Sequence, residues 1–314
     1  MKYSVVIPLY NKAECVKHTI ESVLAQTIDD FEIVVIDDGS TDSGASVVQG
    51  INDNRIRLIQ QENQGVSAAR NTGISNAKGE IVAFLDADDI WMPDFLATVE
   101  ILFNEFPEAN IACINYQVSY GNRVIAPEWK SVDNDTDCLV NDFFEMATGA
   151  FWVTHCSTTA VKRETLMQMD HWFAVGETCY EDYDFWIRLC SNVKVAHSRK
   201  VCAIYNRMSP CNARQAHIKK VVYSKSYMET LDAFLISESL TDQQKLWVKE
   251  IKDRRMVPYI ISLLCLNKRN EARSILEKWK PVKKYKKHHL MLRIMSSLPL
   301  FVVNTIQKVR YGVF

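Results

Sequence analysis

The chain lacks the signatures of several common enzyme classes. It contains no G-x-G, and therefore no G-x-G-x-x-G dinucleotide fingerprint, no Walker loop, no H-E-x-x-H helix and no G-x-S-x-G elbow. It has nine cysteines, none spaced C-x-x-C. Cys113 and Cys190 fall inside apolar runs, so the set reads as reduced, buried thiols of a cytosolic protein rather than a disulfide framework or zinc site. No stretch offers 18 uninterrupted apolar residues. The nearest, Leu290–Ile306, is broken by Arg293, Pro299 and Asn304, which argues against a spanning helix. The opening MKYSVVIPLYN has too short an apolar part for a signal peptide. Charge of one sign is absent overall, with a net charge of -1, so the chain as a whole is not an obvious nucleic-acid binder. That balance hides an asymmetry: residues 268–314 hold 12 Lys/Arg against 2 Glu. An acidic body carries a basic tail.

What is present is an ordinary globular composition. The 314 residues are 47% hydrophobic and 24% charged, enough for one large domain with an appendage or for two domains. The first 116 residues alternate between two periods. Ser4–Ile7, Phe31–Ile36, Arg55–Ile59, Glu80–Leu85 and Asn110–Tyr116 read as buried strands. Between them, Val16–Leu24, Ser43–Gly50, Val66–Ala77 and Pro93–Phe106 read as helices. Strands alternating with helices predict an α/β fold with a mostly parallel sheet covered on both faces. In such sheets ligands bind beyond the carboxyl ends of the strands. From 117 to 150 the pattern weakens to loops with one helix near Val140–Ala147. A further helix is expected from Glu181, and others over 217–236 and 242–266, giving a helical C-terminal extension.

Acidic clusters stand at two of the strand ends. Asp86, Asp88 and Asp89 follow the buried run EIVAFL. Three carboxylates in four residues repel unless a cation or solvent relieves them, and oxygen ligands of this kind suit Mg²⁺ or Mn²⁺ shared with substrate phosphates. The bland alternative is a solvated turn in which Asp89 caps the helix near Pro93. Asp37 and Asp38 end an earlier strand, and a strand-end carboxylate can accept from a nucleobase N–H or a ribose hydroxyl. In NQGVSAARN, Gly65 permits a tight helix entry, and Arg70, one turn in, could pair with phosphate or with the acidic rim. In EDYDFWIRL, Asp182 shares a helical stripe with Phe185, Trp186 and Leu189. An inward carboxylate is costly unless hydrogen-bonded or functional, and its raised pKa would suit a general base. The seven His are scattered apart from His288–His289, and His155–Cys156 without an orienting group reads as structural.

The order of these motifs resembles glycosyltransferase family 2, of the bacterial surface-polysaccharide type. SVVIPLYN at 4–11, VVIDDGSTD at 34–42, NQGVSAARNTG at 63–73, FLDADD at 84–89 and YEDYDFWIRL at 180–189 carry the resemblance, which covers roughly residues 1–210. It implies a GT-A fold over 1–212, with 213–314 as the helical extension. It also implies inverting transfer of a sugar from a nucleotide-sugar donor, usually UDP-linked, to a hydroxyl of a glycan or lipid-linked acceptor, with a divalent metal. Carried over residue by residue, Pro8 and Tyr10 would line the uridine pocket and Asp38 would accept from uracil. Asn63 and Arg70 would stand near nucleoside and phosphate. Asp86 would face the ribose and, with Asp88, form the metal-binding D-x-D pair. Asp182 would be the general base.

Two features depart from the family pattern. The basic or His-containing loop expected after the last strand corresponds to Tyr205-Asn206-Arg207-Met208-Ser209, where Arg207 could serve the diphosphate but the His is missing. The Q-x-x-R-W motif of processive members is absent, which favours single additions. Acceptor-facing residues are expected within 117–180, with Trp152, His155 and the 156–159 loop as candidates. The tail sets Lys278, Lys280, Lys283, Lys284, Lys286 and Lys287, with no acid among them, before an apolar stretch. That juxtaposition suits an anionic membrane surface through 278–306, and the inner face of the cell membrane as a location; a solvated basic helix is the plainer alternative. Two other functions remain open at this point: a nucleotidyltransferase, and a non-catalytic sugar-nucleotide binding protein.

Overall fold

A computed structural model describes residues 1–121, 123–133, 135–149, 151–207 and 221–311, the side chains of 306–311 excepted. The chain divides into two compact units, Met1–Glu177 with Glu181–Asn212, and Thr178–Tyr180 with Ala213–Phe314.

The first unit is built on a ten-stranded sheet. Its first half follows the alternation in the sequence: β1 (Tyr3–Leu9), α1 (Val16–Leu24), β2 (Phe31–Asp38), α2 (Gly44–Gln49), β3 (Ile56–Gln61), α3 (Val66–Asn76) and β4 (Ile81–Phe84). Strands β1 and β2 are buried along their whole length, as strands covered on both faces must be, and this is why they read as continuous apolar runs. They pair in parallel, Tyr3 opposite Phe31, and β1 pairs in parallel with β4 on its other side. All of their carboxyl ends therefore open on one rim.

The second half mixes directions. After β5 (Ile90–Trp91) and α4 (Phe95–Glu105) come β6 (Ile111–Ser119), β7 (Val124–Ile125), β8 (Cys138–Leu139), α5 (Phe143–Ala147), β9 (Thr159–Lys162), α6 (Arg163–Met167), α7 (Glu181–Cys190) and β10 (Val195–Asn206). The main path runs β3-β2-β1-β4-β9-β6-β10-β5. Strand β9 is antiparallel to both β4 and β6. Four residues, TAVK, carry too little pattern to mark a strand in sequence, yet they fill the middle of the sheet. The helix expected near Val140 shortens to α5, where Asp142 caps by accepting from the N–H groups of Phe144 and Glu145.

The second unit is helical: α8 (Lys225–Ile236), α9 (Asp242–Cys265), α10 (Arg269–Lys278), a 3₁₀ turn (Lys283–Tyr285), α11 (Lys286–Met295) and α12 (Leu300–Tyr311). The helix expected over 217–236 begins only at Lys225, because Ser224 caps it by accepting from Tyr227 N; residues 217–220 lie outside the described residues. Helix α9 starts at a capping box, Thr241 with Gln244. Its Asp253 is fully buried and accepts from Lys249 Nζ at 2.6 Å, Trp279 Nε1 at 2.7 Å and Val282 N at 2.6 Å. This carboxylate ties the start of the lysine-rich run to α9. Lys284 pairs with Glu250, so the lysines find an acid on α9 that their own stretch does not supply. Among the described residues, no helix is long and apolar enough to cross a membrane.

Candidate active site

The rim beyond β1, β2 and β4 gathers the acidic clusters. Asp38, at the end of β2, is buried and accepts from Gln61 Nε2 at 2.7 Å, Gln64 N at 3.0 Å and Gly65 N at 2.8 Å. It thereby pins the 61–65 segment that opens α3. The next residue, Gly39, has φ +70°, and a Cβ there would stand 2.9 Å from Asn63 N. Only glycine lets the two loops approach so closely. Asp37 accepts from Ser40 N and Gln60 Nε2. Pro8 is buried within β1, whereas Tyr10 and Asn63 are exposed on the loops of this rim.

Arg70, in α3, is 5% exposed and joins two elements. Its Nη2 donates to Asp86 Oδ1 at 2.8 Å and its Nη1 to Glu181 Oε1 at 3.3 Å. Asp86 follows β4 and Glu181 opens α7, so one guanidinium brings the D-x-D pair beside the Glu-Asp pair. Burial pushes the Asp86 carboxyl up, but Arg70 and Lys12 outweigh it and hold the pKa at about 2. Burial acts with Asp86 to raise Asp88 above the usual carboxylate range, against the pull of Lys12. Lys12 Nζ lies 2.5 Å from Asp88 Oδ1.

Asp89 does not belong to this partly exposed set, and it does not cap α4, whose N-cap is Asp94. It is buried, accepting from Ser157 Oγ at 2.5 Å and from Asn206 N at 2.8 Å. Ser157 in turn accepts from Asp86 N. Asp89 is therefore a strut between the D-x-D loop, the 157 loop and the end of β10. Burial, reinforced by Asp86 and Asp88, pushes its pKa far up. Arg207 follows Asn206 directly, and its Nη1 donates to Tyr120 Oη at 2.7 Å. Met208 and Ser209 lie outside the described residues.

Asp182 stands in the first turn of α7, half-buried, accepting from Tyr183 N at 2.9 Å. Burial and the neighbouring Glu181 raise its pKa to about 6, with Arg70 and His155 opposing. The fully inward acid of the helix is Asp184 instead, 1% exposed and paired with Arg188 at 2.9 Å. Arg188 also donates to the carbonyls of His171 and Trp172, so this pair fastens the loop before α7. Of the acceptor candidates, Trp152 is buried with Nε1 on Ala147 O. His155 is half-buried between the rings of Tyr116 and Tyr205.

Asp86 and Asp88 fit a hard divalent cation. They are oxygen donors at the end of a buried strand, and a lysine ammonium already stands on one of them. Among the described residues no group of three or more His, Cys, Asp and Glu could hold a metal. Phosphate oxygens and water would complete the shell, as is usual for Mg²⁺. The residue missed in the sequence is Lys12; its place just beyond β1, on the same rim as DADD, was the available signal.

Acids gathered beyond the carboxyl ends of parallel strands define a ligand-binding α/β architecture. The profile of glycosyl transferase family 2 matches residues 4–161, and the chain belongs to that family. An uncharacterized glycosyltransferase of Nostoc sp. is 47% identical over 106 residues, covering 33% of each chain. The matched segments take up 16% to 33% of the length of this and two further curated relatives. Among solved structures, S. aureus TarS 1–349 in complex with UDP-GlcNAc superposes with a TM-score of 0.70 at 18% identity, covering 100% of this chain and 93% of that one. Mannosyltransferase PcManGT from Pyrobaculum calidifontis, in complex with GDP-Man and Mn²⁺, gives 0.57 at 17% identity, covering 98% and 87%. These likenesses establish the GT-A fold.

Proposed function

We propose that the protein transfers a sugar, with inversion, from a nucleotide-sugar donor, UDP-linked, to a hydroxyl of a glycan or lipid-linked acceptor. The observation that carries the reading is the Arg70 bridge from Asp86 to Glu181, which sets a donor-side acid beside the one carboxyl whose pKa is raised to about 6. Asp182 then has the right neighbours and the right basicity to take the acceptor's proton near neutral pH. One displacement needs one base and no covalent intermediate, so the anomeric configuration inverts, by the logic of single-displacement glycosidases.

In this reading Asp86 and Asp88 hold Mg²⁺ or Mn²⁺; when bound, the cation supplies positive charge toward the departing diphosphate. Arg70 keeps Asp86 ionised and oriented. Asp38 shapes the nucleoside pocket by pinning the 61–65 loop, with Pro8, Tyr10 and Asn63 around it, and Arg207 serves the diphosphate from the end of β10. The TarS complex with UDP-GlcNAc and the PcManGT complex with Mn²⁺ support the donor and metal classes by analogy of fold.

The location proposed is the cytoplasmic face of a membrane, with the anionic lipid surface as partner. In support, Lys283, Lys286, Lys287 and Arg293 are exposed, and Leu290, Ile294 and Phe301 are 61%, 57% and 72% exposed among them. Exposed basic and apolar side chains close together along one stretch of chain suit anionic headgroups over an acyl boundary.

The test is turnover of a UDP-sugar panel by Asp182→Asn. The expected result is a rate lower by about two to four powers of ten with UDP affinity unchanged. A parallel collapse of UDP affinity would make Asp182 a donor-binding residue and defeat the assignment.

A further inference from the structure

Lys12 is an unusual lysine. Its side chain is 17% exposed, and the carboxylate it meets, Asp88, is 10% exposed. Its backbone is clamped on both sides. Asn11, with φ +51°, donates its N–H to Ser40 Oγ at 3.1 Å and accepts from Thr41 N at 2.8 Å. Ala13 N donates to Asp42 Oδ2 at 2.9 Å. The loop after β1 is thereby stitched to the loop after β2, with Lys12 between the two fastened residues. Asp86 already has Arg70, and Asp89 is engaged by Ser157 and Asn206. Lys12 is thus the cation on Asp88, the acid of the DADD run for which no second side-chain partner stands among the described residues.

We infer that Lys12 is an exchangeable counter-ion: its ammonium holds Asp88 in the resting enzyme and passes to the donor's diphosphate when a divalent cation takes Asp88. The inference rests on the proposed reading of the rim as a metal and diphosphate site. Its physical basis is that ammonium and metal compete for one carboxylate. A largely buried ammonium stripped of its acid is strongly penalised, because removing one partner of a buried pair leaves an uncompensated charge. Metal alone must impose that state. Metal arriving with a diphosphate does not, since the diphosphate offers anionic oxygens to the displaced ammonium. The consequence is positive coupling between metal and nucleotide, which by linkage acts equally in both directions. Lys12 thereby disfavours loading of the site by metal without donor. It is a positioning and selectivity residue; nothing in the role requires it to touch the reacting atoms.

The experiment measures Mn²⁺ binding by electron paramagnetic resonance, and UDP or GDP binding by calorimetry, on the full chain and on Lys12→Met and Lys12→Arg. Met keeps the length of the stem and removes the charge. Circular dichroism and thermal unfolding verify that each variant is folded. For wild type, Mn²⁺ binding should tighten at least about tenfold when the nucleotide is present, within the usual span of coupling energies. Lys12→Met should bind Mn²⁺ more tightly than wild type without nucleotide, bind nucleotide more weakly without metal, and show reduced coupling. Lys12→Arg should keep the weak Mn²⁺ binding of the wild type. Unchanged Mn²⁺ affinity in folded Lys12→Met, or unchanged metal-free nucleotide affinity, would overturn the exchange while leaving the metal site standing. Absence of Mn²⁺ binding by wild type even with UDP or GDP would remove the metal site itself, and this inference with it. Should Lys12→Met not fold, Lys12→Gln replaces it under the same criteria.

Discussion

Replacing Arg70 by Met should both weaken the fold and move the pH dependence of catalysis. Arg70 is 5% exposed and serves two carboxylates, Asp86 at 2.8 Å and Glu181 at 3.3 Å. The depression of Asp86 from 3.8 to about 2 is equivalent to roughly 2 kcal/mol of preferential stabilisation of its ionised form. Because the folded pKa lies below the ordinary one, that contribution is complete above about pH 4 and is lost as pH falls toward 2. Methionine fills the stem's volume but leaves both acids facing one another. Breaking a buried pair in this way costs about 3–5 kcal/mol. Urea unfolding at pH 7 should show that loss. Arg70 also holds Asp182 down against burial and Glu181. Without Arg70 the Asp182 pKa rises further, so the ascending limb of kcat/KM moves above its wild-type position near pH 6, the base being active only when ionised. A loss under about 1 kcal/mol with an unmoved limb would refute the bridge as the organiser of the site.

Asp88→Asn should abolish metal-dependent donor turnover in a chain that still folds, with a lowered thermal midpoint because Lys12 loses its carboxylate; near wild-type turnover with the same metal dependence would remove Asp88 from the mechanism. Asp253→Ala should destabilise the helical unit by about 3–5 kcal/mol, since Lys249, Trp279 and Val282 lose their shared acceptor; the helical circular dichroism signal during urea unfolding reports it, and an unshifted midpoint counts against that anchor. Changing Lys278, Lys280, Lys283, Lys284, Lys286 and Lys287 to Gln should release the protein from anionic vesicles in flotation at low salt, with wild-type binding weakening at high salt. Wild type that fails to float with anionic lipid at low salt would end the membrane reading.

The parallel half of the sheet was legible in the sequence because β1, β2 and β4 are buried on both faces and interrupted by turn residues. Strand β9 was not, since its four residues take their place from the partners on either side rather than from any period of their own. The acids Asp86, Asp88 and Asp182 stood out by type and position. Which of their neighbours was inward did not: the helical stripe pointed to Asp182, whereas Asp184 is the buried one and Asp182 lies half-buried at the helix start. The D-x-D pattern set Asp89 apart from Asp86 and Asp88 but read it as a helix cap, and only its bonds to Ser157 and Asn206 show a strut. The tail lysines lacked an acid locally, but α9 supplies Glu250 across the fold, a pairing that no spacing rule reports.

The proposed reaction is a single displacement promoted by one carboxylate. Real-time proton NMR of turnover of an α-linked UDP-sugar follows the anomeric centre directly. Single displacement predicts that the first-formed glycoside carries the β configuration; only free sugar released by hydrolysis can later mutarotate to the α form. A first-formed α product would contradict it, because retention requires a second displacement or front-side attack for which Asp182 alone gives no means.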